Sequence, residues 1–303
     1  MKKKLEIIIA SIVLIYLLLP FKISEDRVIY VDKGYIWSGN IETNKIKIML
    51  SKTFITNIAF ICANVVDREK LYQLKEGDSV YFLTYDRHNN LLYAIVENKI
   101  DGTYSIKEFY DHKDRIIKNL NGLNKRYFGI YYCNDKLYYW VDDRNTEKKF
   151  LEIFNLNNGR VERRIQVAGI GENIIALGNR IVFSTTKEKK SDIYSFIEND
   201  TIGLFIKGMD TPMKFSNTEI LCLDTTNYND IYLYDLKSAQ RAVWGKNDGR
   251  AWYRNAFILS NKQYYITEKN IHTYDIREWY TINDLDGGMQ ILSIDGPIIS
   301  SLQ

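Results

Sequence analysis

The sequence is short of the residues on which most catalysis and most extracellular scaffolding depend. Its 303 residues include only three histidines, three cysteines and three prolines. His88, His112 and His272 stand apart, in "YDRHNN", "YDHKDR" and "NIHTYDI". With no second His at metal-ligand spacing, they read as surface or strand residues rather than as acid–base or ligand groups. Cys62, Cys133 and Cys222 are too few and too widely spaced for a disulfide framework or a zinc site. Each lies in an apolar run, so buried free thiols are expected, with one disulfide open to them in an oxidising compartment. Nucleophile motifs are missing as well: there is no G-x-S-x-G, and no S-x-x-K with supporting partners. The G-x-G in "VAGIGENIIALG" (167–178) lacks a third glycine and a following helix, and reads as a turn. "NDGRAW" (247–252) misses the spacing of a sialidase Asp box, and "DTTNYND" (224–230) misses that of an EF-hand. No cofactor and no metal are therefore expected.

Charge of one sign is lacking too. The net charge is +3, and setting aside Lys2, Lys3, Lys4 and Glu6 leaves +1 for the remainder. Lys and Arg alternate with Asp and Glu throughout, which argues against a nucleic-acid partner, because that would call for a concentrated basic stripe.

What the chain does hold is apolar and aromatic. Hydrophobic residues make up 46%, with 23 Tyr, 13 Phe and 5 Trp beside many Ile and Val, while alanine is scarce. Such residues suit a pleated, half-buried surface, so composition points to sheet.

The opening "MKKKLEIIIASIVLIYLLLPFK" places three lysines before an apolar run from Ile7 to Leu19. Leu5 to Phe21 as a helix would be roughly 26 Å long at about 1.5 Å per residue. That nearly spans the ~30 Å bilayer core, and Lys4 and Lys22 could snorkel to relieve the shortfall. "LLLPFKISED" offers no small-x-small cleavage site, and no cysteine follows the run as a lipoprotein anchor would require. The reading is a retained signal anchor over residues 1–22, carried by Lys2, Lys3, Lys4, Leu5, Leu19 and Phe21. The lysines keep the N-terminus inside and a domain from residue 27 to 303 outside the cytoplasmic membrane. A cleaved signal peptide and secretion form the alternative.

Beyond Arg27 no segment reads convincingly as helix. "DREKLYQLKEG" (67–77) and "HKDRIIKNLNGL" (112–123) have only partial helical period. Elsewhere short apolar runs alternate with Asn, Asp, Gly, Lys and Ser clusters, as in many short strands. One unit recurs: a polar turn, a strand, a polar loop, then a second strand ending in Asp-Leu or Asn-Leu. Its clearest copies are "NRIVFSTTKEKKSDIYSFIEND" (179–200) and "NTEILCLDTTNYNDIYLYDLKSAQ" (217–240). Markers at Ile36, Val80, Leu137, Ile181, Ile220, Tyr264 and Ile298 recur mostly at 39 to 44 residues, with one interval of 57 ascribed to a loop insertion near 105–125. A period near 40–45 built of about four strands suggests an all-β propeller of six or seven four-stranded blades. In that ring the segment 27–50 would complete the C-terminal blade.

The phrases "FSNTEILCLDTTNYNDIYLYDLKSAQ" and "NRIVFSTTKEKKSDIYSFI" resemble blades of TolB-like and related bacterial extracytoplasmic propellers, in which an I-x-F strand precedes an I-Y-x-x-D-L strand. The Pro-Asp-Gly turn of that family is replaced by "SNTE" and "LGNR", and WD40 and kelch markers are absent. The resemblance implies a fold and carries no functional residue across.

The expected function is a non-enzymatic binding or scaffold propeller for an envelope protein or ligand. The alternative is a hydrolase or lyase acting on cell-wall or extracellular carbohydrate, which would need two converging carboxylates. Exposed tyrosine rings would suit a sugar. The partner face is expected on the loops joining second to third strands, near 86–90, 142–149, 186–191 and 224–230. Its candidates are Asp86, Arg87, Asp142, Asp143, Arg144, Asp224, Asn227, Asn229 and Asp230. The consecutive pairs Tyr131–Tyr132 and Tyr138–Tyr139 point to opposite sheet faces, so some of these rings are expected at an edge or in a channel.

Overall fold

The computed structural model describes residues 21–48, 58–120, 122, 124–170, 173–187, 190–197, 201–226, 230–246, 257–259, 264–269, 279–284, 289–293 and 298–300. Among these residues there is no helix, and the strands form six four-stranded antiparallel sheets.

The first sheet takes β1 (Phe21–Asp32), β2 (Tyr35–Ile48) and β3 (Ile58–Gln73). The second is β4 (Asp78–Asp86), β5 (Leu91–Asn98), β6 (Thr103–Tyr110) and β7 (Lys113–Asn119). The third is β8 (Lys125–Cys133), β9 (Lys136–Asp143), β10 (Lys148–Asn155) and β11 (Arg160–Val167). The fourth is β12 (Ile174–Leu177), β13 (Arg180–Lys187), β14 (Lys190–Ile197) and β15 (Gly203–Ile206). The fifth is β16 (Met209–Lys214), β17 (Glu219–Asp224), β18 (Asp230–Asp235) and β19 (Gln240–Lys246). The sixth is β20 (Phe257–Leu259), β21 (Tyr264–Lys269), β22 (Trp279–Asp284) and β23 (Met289–Ser293). The last strand, β24 (Ile298–Ser300), returns to the first sheet and pairs with Val28–Tyr30 of β1. The two ends of the chain are thus joined in one sheet, as the repeat pattern anticipated. The innermost strands β4, β8, β12, β16, β20 and β24 touch one another in sequence, and β24 touches β4.

Two-residue hairpins need a left-handed backbone, because only that twist matches the flanking strands. Lys33 and Gly34 supply it between β1 and β2, Asp111 and His112 between β6 and β7, and Asn134 and Asp135 between β8 and β9. The recurring Asn-Leu and Asp-Leu have a physical cause. Asn155 and Asp235 end the third strands of their sheets and accept hydrogen bonds from backbone amides two and three residues on, at 2.8–3.4 Å. The following leucine then donates its own amide across the same sheet end, Leu156 to Asp135 O and Leu236 to Thr218 O, each at 2.9 Å. Gly169, in the link between β11 and β12, confirms its segment as a turn between sheets. A Cβ there would lie 1.7 Å from the Thr186 carbonyl oxygen, so only glycine allows that approach.

Side chains alternate along each strand into two different cores. Leu137, Tyr139 and Val141 pack between the second and third sheets. Their neighbours Tyr138 and Trp140 pack between the third and fourth. Tyr132 and Tyr131 divide in the same way, so the paired tyrosines fill inter-sheet cores rather than an edge or channel.

Three expectations need correction. The interval of 57 residues holds no loop insertion: residues 103–110 and 113–119 are β6 and β7. Val80 lies on the innermost strand β4, one strand too early; the second strands of the second to sixth sheets begin at Leu91, Lys136, Arg180, Glu219 and Tyr264, at near-even spacing. The segments with partial helical period are strand and turn, ending β3 and forming β7, in agreement with the reading that neither is a helix. Finally, Phe21 and Lys22, read as the end of the anchor over residues 1–22, belong to β1, which begins at Phe21 opposite Lys45. Lys2, Lys3, Lys4, Leu5 and Leu19 lie outside the described residues.

Candidate functional site

The nine candidate residues do not share one end of the molecule. In an antiparallel meander, the turn after the first strand and the turn after the third lie together, opposite the turn after the second. Asp86 and Arg87 belong to the β4–β5 turn, after a first strand. Asp142, Asp143 and Arg144 belong to the β9–β10 turn, after a second strand, as do Asp224 and Asp230 at the β17–β18 turn. Innermost strands run alike: the Tyr132 amide near the end of β8 donates to Thr84 Oγ1 near the end of β4, at 3.0 Å. The two groups therefore lie at opposite ends. The misplacement has the same origin as the Val80 marker. Asn227 and Asn229 lie outside the described residues.

Three of these residues shape turns. Asp86, 1% exposed, accepts the amides of His88 at 3.0 Å and Asn89 at 3.3 Å, and Asn89 Nδ2 at 2.7 Å. Asp143 accepts the Asn145 amide at 3.2 Å and lies 3.5 Å from Lys125 Nζ. Asp224 accepts the Thr226 amide at 2.7 Å. Carboxylates that fix turns in this way are the common use of Asp beside a hairpin.

Two clefts open at the end that carries Asp86. One, of about 420 Å³, lies between the second and third sheets and is lined by Asp86, Tyr93, Glu108, Arg115, Asp135, Asn157 and neighbouring residues. The Tyr93 and Tyr132 rings stack beneath it, 5.6 Å apart and 16° from parallel. Burial, followed by Glu108 and Asp86, pushes the Tyr93 hydroxyl up, and burial, followed by Asp86, does the same to Tyr132. Both are neutral phenols, able to donate. Tyr132 donates to Asp135 Oδ1 at 3.2 Å. Arg115 grips Glu108 with two bonds of 2.7 and 3.0 Å, yet its side chain is 72% exposed.

The other cleft, of about 550 Å³, lies between the first and second sheets, walled by Ser38 and Glu69–Tyr72 on one side and by Tyr85, Arg87, Asn90 and Tyr110–His112 on the other. Lys70 Nζ stands 4.2 Å from the Tyr35 ring and 5.3 Å from that of Trp37. A buried charge cluster lies in the same interface. Lys107 pairs with Asp78 and lies 3.3 Å from Asp114, which also takes Lys75 at 2.7 Å and the Tyr72 hydroxyl at 2.8 Å. Sequence reasoning missed both clefts, because their polar groups come from distant strands, Asp86 to Asn157 in one and Ser38 to His112 in the other, with no local spacing to mark them.

Cys133 and Cys222 are free thiols; Cys222 is buried, and burial pushes its thiol up to about 12. Cys62 lies in β3. Among the described residues no group of three or more His, Cys, Asp or Glu side chains could hold a metal ion, and no helix is long and apolar enough to cross a membrane.

No family model matches the sequence, and no curated protein matches it either. Solved structures do. TolB from Acinetobacter baumannii superposes with a TM-score of 0.59 at 11% identity, over 90% of this chain and 65% of that one. This chain thus covers a little less than two thirds of TolB's length. A structure of a nidogen/laminin complex superposes with a TM-score of 0.52 at 8% identity, covering 90% of this chain and 97% of the other. At these identities the likeness is one of fold: the chain has a TolB-like β-propeller fold.

Proposed function

We propose that the chain is a six-bladed propeller, closed by β24, that is tethered outside a cytoplasmic membrane by its first 20 or so residues and binds an envelope protein. The observation that carries this reading is the pair of inter-sheet clefts that open at the same end of the sheets. The carboxylates of the first cleft are already committed, Asp86 to its turn, Glu108 to Arg115 and Asp135 to Tyr132. That supports recognition over acid–base work on a sugar, where one carboxyl must be free to carry a proton. The named partners in one superposed structure, nidogen and laminin, are a precedent for protein recognition on this fold.

Co-purification of the full chain from cross-linked membranes tests the proposal. Arg115→Ala with Asn157→Ala should remove the captured protein, while Asp142→Ala with Arg144→Ala at the opposite end should retain it. Loss of capture only with the second pair would move the site to the other end. Recovery of no protein with the wild-type chain would remove the binding role.

A further inference from the structure

The charged groups lining the cleft between the second and third sheets do not balance. Asp86, Glu108 and Asp135 face one cation, Arg115. Arg115 commits Nε and Nη2 to Glu108, at 2.7 and 3.0 Å, which neutralises one carboxylate and leaves two. Among the described residues, no Lys, Arg or His forms an ion pair with Asp86 or Asp135. Asp86, 1% exposed, accepts the amides of His88 and Asn89 and the Asn89 side chain. Asp135, which is exposed, accepts the Tyr132 hydroxyl at 3.2 Å and Asn157 Nδ2 at 3.5 Å. These bonds orient the carboxylates without supplying a counter-charge, and a buried charge left without one is costly.

The two carboxylates bear on one phenol. The Tyr132 hydroxyl has a single proton, which it gives to Asp135, while Asp86 comes next after burial in pushing that hydroxyl up. An independent feature lies beside it. Tyr93 stacks on Tyr132 and is only 3% exposed, yet it lines the cleft. Its hydroxyl has no hydrogen-bond partner among the described residues. The charges that act on it are those of Glu108, Asp86, Arg115 and Asp135, the four charged residues of the lining. A phenol buried to this degree normally finds a partner within the protein. Here it opens to the cleft instead.

We propose that this cleft is a socket for a lysine side chain of the partner protein, its ammonium seated between Asp86 and Asp135 with Tyr93 Oη as third acceptor. This rests on the binding reading above and adds the chemistry of the partner. Charge complementarity selects a cation. An ammonium carries three rotatable N–H donors and no acceptor, one donor for each of these three groups. Leu91, Phe154 and Leu156 line the remaining wall and suit the four-carbon stem. At the mouth, Arg115 is 72% exposed and keeps Nη1 for a backbone carbonyl beside that lysine.

The test treats membranes carrying the full chain with a water-soluble carbodiimide, which joins carboxyl to amine only where the two are in contact. Mass spectrometry of the junction should show an isopeptide bond between Asp135 and a lysine of another protein. Tyr93→Phe keeps the ring and both carboxylates, and should lower the yield roughly tenfold, as loss of a hydrogen bond to a charged group implies. Asp135→Asn keeps the turn, because asparagine also tolerates the left-handed backbone of this position, φ 56°. It should cut recovery in the co-purification above by roughly tenfold, with the melting temperature of either variant close to that of wild type. If co-purification recovers a protein, but no junction forms at Asp135 and Asp135→Asn recovers as much as wild type, the binding reading stands and the lysine socket is overturned. A junction to a lysine of a second copy of this chain would overturn the assigned occupant. Recovery of nothing by either route overturns the binding role and the socket with it.

Discussion

Between the second and third sheets, the core of Ile106, Tyr139 and Phe154 gives way outward to a buried carboxylate, Glu152. Between the fourth and fifth, the corresponding volume is taken by Ile175, Val182, Ile193, Ile206, Met209, Ile220 and Cys222. Glu152 accepts the Tyr139 hydroxyl and Arg164 Nε, each at 2.8 Å, and lies 3.9 Å from Lys118 Nζ. The stems of those cations are used as well. Lys118 lies over the rings of Tyr139 and Phe154, and Arg164 over Phe150. Sheets stacked around an axis diverge toward the rim, and long amphipathic side chains fill the widening gap while carrying their charge toward water. Where one carboxylate organises three donors, however, it is also the point at which the interface fails. The aliphatic interface spreads its stabilisation over many contacts and has no such single point.

Removing that carboxylate should give an effect as large as truncating a core side chain. Glu152→Ala leaves Tyr139 without its acceptor and Lys118 half-buried without its counter-charge, at a cost of about 3 kcal/mol, the lower end for breaking a buried pair because Arg164 can turn to water. Urea denaturation reads this directly. In the aliphatic interface, Ile193→Ala should cost about 2–4 kcal/mol, through lost transfer energy and the cavity left behind. If Glu152→Ala falls well below Ile193→Ala, the charged cluster is decoration and the contrast collapses. Tyr139→Phe should cost only about 1 kcal/mol. Burial, then the Glu152 charge, pushes its hydroxyl far up, so it acts as a neutral donor throughout. Combined with Glu152→Gln it should show a coupling absent from any pairing with Ile193→Ala.

The same contrast governs what the sequence could show. The unit from Asn173 to Lys207 was legible strand by strand, because polar turns separate β12–β15 and an apolar face repeats in the next unit. The second sheet was not. "SVYFLTY" of β4 and "LLYAIVEN" of β5 are both buried on two faces, so inner and second strands read alike. That ambiguity shifted the repeat by one strand and placed Asp86 and Arg87 at the wrong end. The Asp-Leu mark was visible without its reason, the amide bond of the leucine across the sheet end. The charge clusters were invisible for a different cause: Asp78, Lys107 and Asp114 lie on three strands, and only the register brings them together.

Acid should separate the two kinds of interface more gently. Burial pushes the Asp114 carboxyl up, but hydrogen bonds from Lys75 and Tyr72, with the charges of Lys107 and Lys75, outweigh it and hold the group below its ordinary value of 3.8. The unfolded chain therefore binds this proton more readily than the folded one. The stabilisation is complete above the ordinary carboxylate value and is lost as pH falls through the lower folded value. Asp114→Asn should lower the melting temperature at neutral pH and flatten its decline as pH falls below about 5. Ile193→Ala should shift the whole profile down while leaving its slope unchanged, because no titrating group is touched. Asp101, Glu162 and Asp235 are also held low, at exposed positions, so some acid slope should survive in both variants. Equal slopes in wild type and Asp114→Asn would mean that the buried cluster between the first and second sheets carries no acid sensitivity of its own, and that the charged interfaces differ from the aliphatic one in packing alone.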